Sequence, residues 1–132
     1  MDTAIAERRR INPWQVLAFT LVGGTTALIY VGGYSVLRQS GVPVAAASTL
    51  SYLVAITFQY FGHSGLTFGK HPRDRGQLVR FLVLNGIGLI TAVAITLALT
   101  KILGAQDWVA SLAVILVLPV LNWFLMRLWV FV

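Results

Sequence analysis

One arginine lies among large apolar side chains in the stretch LNWFLMRLWVFV (residues 121–132), with no acidic residue near it. Two interpretations fit this residue, Arg127. Five residues follow it, about 7.5 Å at helical rise, so its guanidinium can reach a membrane interface and act as an anchor. Alternatively it binds phosphate through charged, often bidentate hydrogen bonds, together with Arg80, which we expect at a similar depth.

A second group of side chains that could bind a ligand is polar but uncharged. Its members lie within apolar stretches, toward one predicted end: Thr25, Thr26, Gln59, Asn85 and Asn122. An amide or hydroxyl in hydrocarbon loses roughly 1–3 kcal/mol unless it forms a hydrogen bond. These groups therefore either bond neighbouring helices together or line a polar groove. Since helical spacing places Asn122 about 140° from Arg127, we expect Arg127 to be the ligand and Asn122 a packing or network residue.

Side chains for acid–base chemistry or ion coupling are missing from the apolar stretches. The four acidic residues all fall in predicted tails or loops: Asp2, Glu7, Asp74 and Asp107. Ion-coupled carriers hold an ionisable group inside the membrane, and general acid–base catalysis requires positioned titratable groups. We therefore expect no enzyme activity, no cofactor and no ion coupling.

The two histidines and the absence of cysteine argue against a metal site. His63 and His71 share a predicted loop without further good ligands, so we expect both to be solvated. The chain has no cysteine, which excludes disulfides and thiolate ligands. The sequence predicts no bound metal.

The elements that must position these residues are membrane-spanning helices. Hydrophobic residues make up 58% of the 132 residues and charged residues only 11%. Four stretches have about the 20 residues that a helix needs to cross a bilayer: 15–37, 43–62, 78–100 and 108–131. They are apolar around most of their circumference, which excludes a soluble bundle. The sequence predicts an all-α integral membrane protein with a single domain over residues 1–132.

The basic residues predict the orientation of the four spans. Eight of them fall on one side: Arg8, Arg9, Arg10, Lys70, Arg73, Arg75, Arg80 and Arg127. Only Arg38 and Lys101 fall on the other side. The positive-inside rule then places both termini and the central loop, residues 63–77, in the cytoplasm. The net charge of +6 favours anionic lipid as a partner. With no soluble domain to hold base contacts, nucleic acid is excluded.

The two halves of the chain resemble each other. A shift of 63 residues aligns residues 45–68 with 108–131, pairing Phe61 with Phe124 and Phe68 with Phe131. One gap also brings Phe19 onto Phe81 and Gly24 onto Gly86. The predicted halves, about 14–68 and 77–131, are helical hairpins. Because each has two spans, the copies form a parallel repeat.

These motifs resemble the GtrA family of small four-span membrane proteins. The resemblance rests on F-x-x-x-G-G near the start of a hairpin and on NWFLMRLWVF (residues 122–131) at its end, and it covers about residues 14–131. The first hairpin departs from the pattern, with Gln59 in place of Asn and Ser64 in place of Arg.

The resemblance implies a role in cell-envelope polysaccharide glycosylation, at a bacterial or archaeal cytoplasmic membrane. The protein is expected to be a flippase that moves a polyprenyl-phosphate-linked monosaccharide across that membrane. The alternative is an adaptor that recruits a polyprenyl-phosphate glycosyltransferase of the family 2 type. Because four short helices enclose little volume, we also expect a homodimer wherever a sugar must be sheltered.

Overall fold

The computed structural model of the protein describes residues 10–132, so Arg8 and Arg9 of the predicted cytoplasmic cluster, like Asp2 and Glu7, lie outside the described residues. Over this range the chain forms four α-helices and no strand: α1 (Pro13–Gln39), α2 (Val44–Gly62), α3 (Arg75–Leu97) and α4 (Asp107–Leu125). The last three continue directly into five-residue π-helical turns: His63–Thr67, Ala98–Ile102 and Met126–Val130.

With their π-helical turns, the four helices are each long and apolar enough to cross a membrane. In the 18-residue apolar stretch of each helix, only 11–22% of the residues are buried within the protein. Most of the apolar side chains therefore face outward. Such a surface is stable in lipid and not in water. The prediction of an all-α, four-span, multi-pass membrane protein is confirmed.

The central loop is shorter than predicted. Helical structure continues from Gly62 through Thr67, and the Phe68 amide still donates to the His63 carbonyl (3.0 Å). At the other end, Asp74 starts α3, because its Oδ1 accepts a hydrogen bond from the Gln77 amide (3.0 Å). The loop therefore spans residues 68–74 rather than 63–77.

α1 and α2 form the first of two compact units, which ends at Pro72. Asn12 caps α1 by accepting a hydrogen bond from the Trp14 amide (2.9 Å), with Pro13 in the first turn, where its missing N–H costs nothing. At the other end Arg38 donates to the Val42 carbonyl (2.7 Å), which closes the connection to α2.

Small residues let α1 and α2 approach closely. Ala47, Ser51 and Ala55 recur every four residues on α2 and are all buried. A Cβ atom on Gly33 would lie 3.2 Å from the Ser51 Oγ, so the absence of a side chain at Gly33 permits this contact. The four-residue spacing of small residues in the second span thus marks intramolecular packing.

Two hydroxyl side chains at and just after the end of α2 form hydrogen bonds with the central loop. The Tyr60 hydroxyl donates to the Pro72 carbonyl (2.8 Å), and the Ser64 hydroxyl donates to the Lys70 carbonyl (3.0 Å). Gly69 adopts a φ of +60°, a conformation that favours glycine. The loop consequently leaves the helix along a defined path.

α3 and α4 form the second unit, which begins at Arg73. α3 buries Phe81, Leu84 and Gly88, which recur at the three- and four-residue spacing of one helix face. Met126 and Val130, the first and last residues of the π-helical turn that follows α4, are also fully buried.

The second hairpin repeats the element bounds of the first. α2 and α4 each have 19 residues and begin 63 residues apart, at Val44 and Asp107. The π-helical turns that follow them, His63–Thr67 and Met126–Val130, are again 63 residues apart. This is the shift that aligns the two halves of the sequence, while the parallel orientation of the copies stays a prediction.

Candidate functional site

The final turn of the second hairpin, Met126–Val130, contains Arg127 and also accepts hydrogen bonds from Arg80. Arg80 Nε and Nη2 lie 3.2 Å and 3.1 Å from the Val130 carbonyl oxygen, to which both donate hydrogen bonds. The last carbonyls of a helix lack partners within that helix and carry partial negative charge, which favours a cation there. Arg80 from α3 is therefore held at the end of α4, three residues from Arg127.

Arg127 is held against its own helix by an aromatic ring. Its guanidinium carbon lies 5.8 Å from the ring centre of Trp123, one turn earlier. Residues four positions apart share one face of a helix, and this contact uses that spacing. A cation over an indole ring gains about 0.5–2 kcal/mol, depending on how far water is excluded. The interaction keeps a half-buried arginine close to the helix surface.

An acidic residue, Asp74, lies near Arg80. A Cβ atom on Gly76 would lie 3.8 Å from Arg80 Nη1 and 3.3 Å from Asp74 Oδ1, so an acid and a base flank this glycine. Asp74 Oδ1 already accepts the capping hydrogen bond from Gln77. Arg80 at the Val130 carbonyl and Arg127 beside Trp123 still give the end of the second hairpin an excess of positive charge, which an anion such as phosphate would offset.

The predicted groove residues differ in how their polar atoms are used. Thr26 donates to the Val22 carbonyl (2.7 Å) and Asn85 to the Phe81 carbonyl (2.9 Å), each within its own helix. Thr25 is exposed on α1. Gln59 is half-buried on α2.

Asn122 lies on α4 beside α3. Its Oδ1 is buried without a hydrogen bond, 3.9 Å from where a Cβ atom on Gly88 would lie. Thr25, Thr26 and Gln59 belong to the first unit, whereas Asn85 and Asn122 belong to the second. A groove that joins the two groups stays a prediction.

The prediction that His63 is a solvated loop residue is wrong. Its side chain is fully buried, and its ring stacks on Phe19 at 4.8 Å between centres and lies 6.5 Å from Phe68. Nδ1 is 3.1 Å from the Thr67 hydroxyl, while Nε2 is buried without a hydrogen bond. The physical reason is that the helix continues past Gly62, which turns His63 inward.

The internal repeat contained the signal that places His63. A shift of 63 residues puts His63 on Met126, which is also fully buried. In the second hairpin Phe81 and Phe131, the counterparts of Phe19 and Phe68, have ring centres 6.5 Å apart. The same buried position is thus filled by imidazole in one copy and by thioether in the other.

His63→Met is expected to raise the stability of the protein by about 1 kcal/mol, because it removes a buried nitrogen without a hydrogen bond and installs the residue of the second copy. Thermal unfolding of the purified protein in detergent measures this change. The reciprocal variant Met126→His should lower the unfolding temperature. If His63→Met is the less stable protein, the imidazole is needed by the fold.

The chemistry that this arrangement offers is the binding of an anion. Residues 10–132 contain no group of three histidine, cysteine, aspartate or glutamate side chains placed to hold a metal ion. The structure places two arginines at the end of the second hairpin, with Asp74 near Arg80. They suit an anionic head group near a membrane surface.

Four spanning helices in two hairpins, with a cationic end on the second, define a class of small multi-pass membrane protein. Residues 18–131 match the family described as GtrA/DPMS, transmembrane domain. The match covers most of the chain, which therefore belongs to this family of membrane proteins that handle lipid-linked sugars. No curated protein and no solved structure matches the chain.

Proposed function

We propose that the protein translocates a polyprenyl-phosphate-linked monosaccharide from the cytoplasmic to the outer leaflet of a bacterial or archaeal cytoplasmic membrane, for glycosylation of cell-envelope polysaccharide. One observation carries this proposal: Arg127 belongs to the turn whose Val130 carbonyl holds Arg80. Two guanidiniums at one helix end suit the phosphate of a lipid better than a neutral head group.

The arginines receive the phosphate at the cytoplasmic interface, which long basic side chains can reach by snorkelling. Both termini lie in the cytoplasm in this proposal, and anionic lipid surrounds the basic end. The isoprenoid tail stays in the bilayer, against the apolar side chains that all four helices expose. The sugar passes along a polar path provided by Thr25, Thr26, Gln59, Asn85 and Asn122.

Transport in this proposal is downhill and changes no covalent bond, so the protein is not an enzyme and uses no cofactor. The acids of the described chain support this, because Asp74 caps a helix and Asp107 is the exposed first residue of α4. Neither is placed inside a span to carry an ion. A homodimer would add the volume that four short helices lack.

Reconstituted vesicles test the proposal. The probe is polyprenyl-phosphate-glucose, placed in one leaflet and detected in the other by a membrane-impermeant reagent that oxidises sugar diols. We expect the accessible fraction to grow faster in vesicles that contain the purified protein than in empty vesicles. Equal rates would exclude translocation by this protein alone.

A second candidate function has its own observation, the exposed basic side chains of the central loop. Three of them, Lys70, His71 and Arg73, lie in the loop, and Arg75 is the first residue of α3; all four are exposed. The contact of Tyr60 with Pro72 fixes the path of the loop. Such a surface suits docking of an acidic protein face. In this alternative the protein is an adaptor that recruits a family 2 type glycosyltransferase.

Charge reversal separates the adaptor from the translocator. If the adaptor function holds, Lys70→Glu with Arg73→Glu should release the transferase from membranes into the soluble fraction. Arg38→Glu, a charge reversal outside this loop, should leave the transferase bound. Retention of the transferase by the loop variant would exclude the loop as its docking surface.

A further inference from the structure

One nitrogen of the Arg80 guanidinium is left for a ligand. Nε and Nη2 both donate to the Val130 carbonyl, at 3.2 Å and 3.1 Å, whereas Nη1 forms no hydrogen bond with any residue in the range 10–132. A guanidinium has five N–H donors, two of them on Nη1. An anion that binds Arg80 and leaves the contact with Val130 intact therefore binds at Nη1.

Gly76 leaves a small space beside this nitrogen. A Cβ atom on Gly76 would lie 3.8 Å from Arg80 Nη1 and 3.3 Å from Asp74 Oδ1. Gly76 and Arg80 are four residues apart on α3, and Asp74 is the cap that precedes this helix. All three residues belong to the second compact unit. The free donor of Arg80 and a carboxylate thus border the same space.

The negative charge of Asp74 acts on an anion bound at this place. Arg80 Nη1 and Asp74 Oδ1 each lie within 4 Å of one point, so they are closer together than the screening length, about 8 Å at physiological salt. The exposed neighbours Arg73 and Arg75 add positive charge. Their contribution stays the same when Asp74 is replaced, so a change at Asp74 alone measures the effect of its charge.

The charge of the phosphate differs between a lipid that bears a sugar and one that does not. A sugar-linked polyprenyl phosphate is a phosphodiester with one negative charge. Bare polyprenyl phosphate is a monoester, and a phosphate monoester carries about −1.5 to −2 at pH 7. Because Coulomb energy is proportional to charge, a nearby carboxylate repels the bare lipid up to about twice as strongly. The arginines have the opposite preference, since they attract the more highly charged lipid.

We propose that Asp74 is a specificity-determining residue, which weakens binding of bare polyprenyl phosphate at Arg80 more than binding of the sugar-linked lipid. This inference rests on the proposed function and concerns its choice of substrate. Without Asp74 the arginines favour the bare lipid, which then competes for the site. With Asp74 the lipid that bears a sugar competes more effectively.

Asp74→Asn tests this role, because asparagine caps a helix about as well as aspartate and removes only the charge. Calorimetric titration in detergent at low salt measures two probes, polyprenyl-phosphate-glucose and polyprenyl phosphate. The variant should bind the first about twofold and the second about fourfold more tightly than wild type, as one charge at such a distance in water implies. Asp107→Asn, which removes an exposed acid at the start of α4, is the matched control and should change neither affinity.

Salt separates an effect of charge from an effect of structure. At 1 M salt the screening length falls to about 3 Å, so both gains should shrink toward zero, while the unfolding temperature of the variant stays close to that of wild type. An equal gain for both probes, no gain for the bare lipid, or gains that salt leaves unchanged would overturn the role of Asp74 while phosphate binding stands. Wild-type protein that binds neither probe overturns both this inference and the proposed function.

Discussion

Arg127→Ala is expected to lower the affinity for polyprenyl-phosphate-glucose by about tenfold to a hundredfold, since hydrogen bonds to charged groups contribute about 1.5–3 kcal/mol. The guanidinium lies over Trp123 at the end of α4 and can extend from there to a phosphate. Arg127→Lys keeps the charge but loses the planar fork, so it should retain part of the affinity. Calorimetric titration in detergent measures all three proteins.

Arg80→Ala should weaken binding as well, and it also removes both hydrogen bonds to the Val130 carbonyl. Its stability must therefore be measured beside its affinity. Arg38→Ala is the matched control, because Arg38 also donates to a backbone carbonyl, that of Val42, but at the predicted outer side. We expect its affinity to stay within about twofold of the wild type. An equal loss of affinity in all three alanine variants would mean that these arginines only orient the protein in the membrane.

Gly62→Ala is expected to destabilise the first hairpin by about 1–3 kcal/mol, the usual effect of overpacking. A Cβ atom at this position would lie 2.8 Å from Val22 Cγ1 and 3.1 Å from Cγ2. Valine cannot turn both methyl groups away, because β-branched side chains on helices have one strongly preferred rotamer. The unfolding temperature in detergent should fall accordingly.

Gly24→Ala is the control for this clash. A Cβ atom on Gly24 would meet nothing within 4 Å, so alanine gains helix propensity, about 1 kcal/mol at most, without a steric cost. The two substitutions should shift the unfolding temperature in opposite directions. A Gly62→Ala protein as stable as Gly24→Ala would mean that α1 and α2 do not pack as closely as described.

The spans were predictable from sequence because membrane helices need long apolar stretches, and the charges and turn residues between them mark their ends. The small residues Ala47, Ser51 and Ala55 lie on the packed face of α2, and their four-residue spacing is visible in the sequence. The shared face of Trp123 and Arg127 followed from helical geometry alone. Each of these features depends on the spacing of residues that are close in the chain, and this spacing can be read directly from the sequence.

Long-range contacts were not predictable in the same way. The hydrogen bonds of Arg80 to Val130 join residues 50 positions apart, and no local pattern shows which carbonyl a guanidinium reaches. The burial of His63 depends on a π-helical turn, which has no clear sequence signature. Only the comparison with Met126 in the second copy indicated it.

The repeat also explains why the first hairpin has no arginine at the position of Arg127. Its counterpart there, Ser64, is fully buried and binds the Lys70 carbonyl to close the central loop. A guanidinium would not fit a buried position that must also fix this turn. The two hairpins thus share helix bounds but differ at this turn, where only the second presents a cation.

The rate of lipid-linked sugar translocation in vesicles tests the central claim most directly. Wild type, Arg38→Ala and the double variant Arg80→Ala with Arg127→Ala are reconstituted at equal density with polyprenyl-phosphate-glucose. The arginine site predicts that wild type and Arg38→Ala translocate at similar rates and that the double variant falls close to empty vesicles. Translocation by the double variant at the wild-type rate would contradict the site, and a wild-type rate equal to that of empty vesicles would contradict the function.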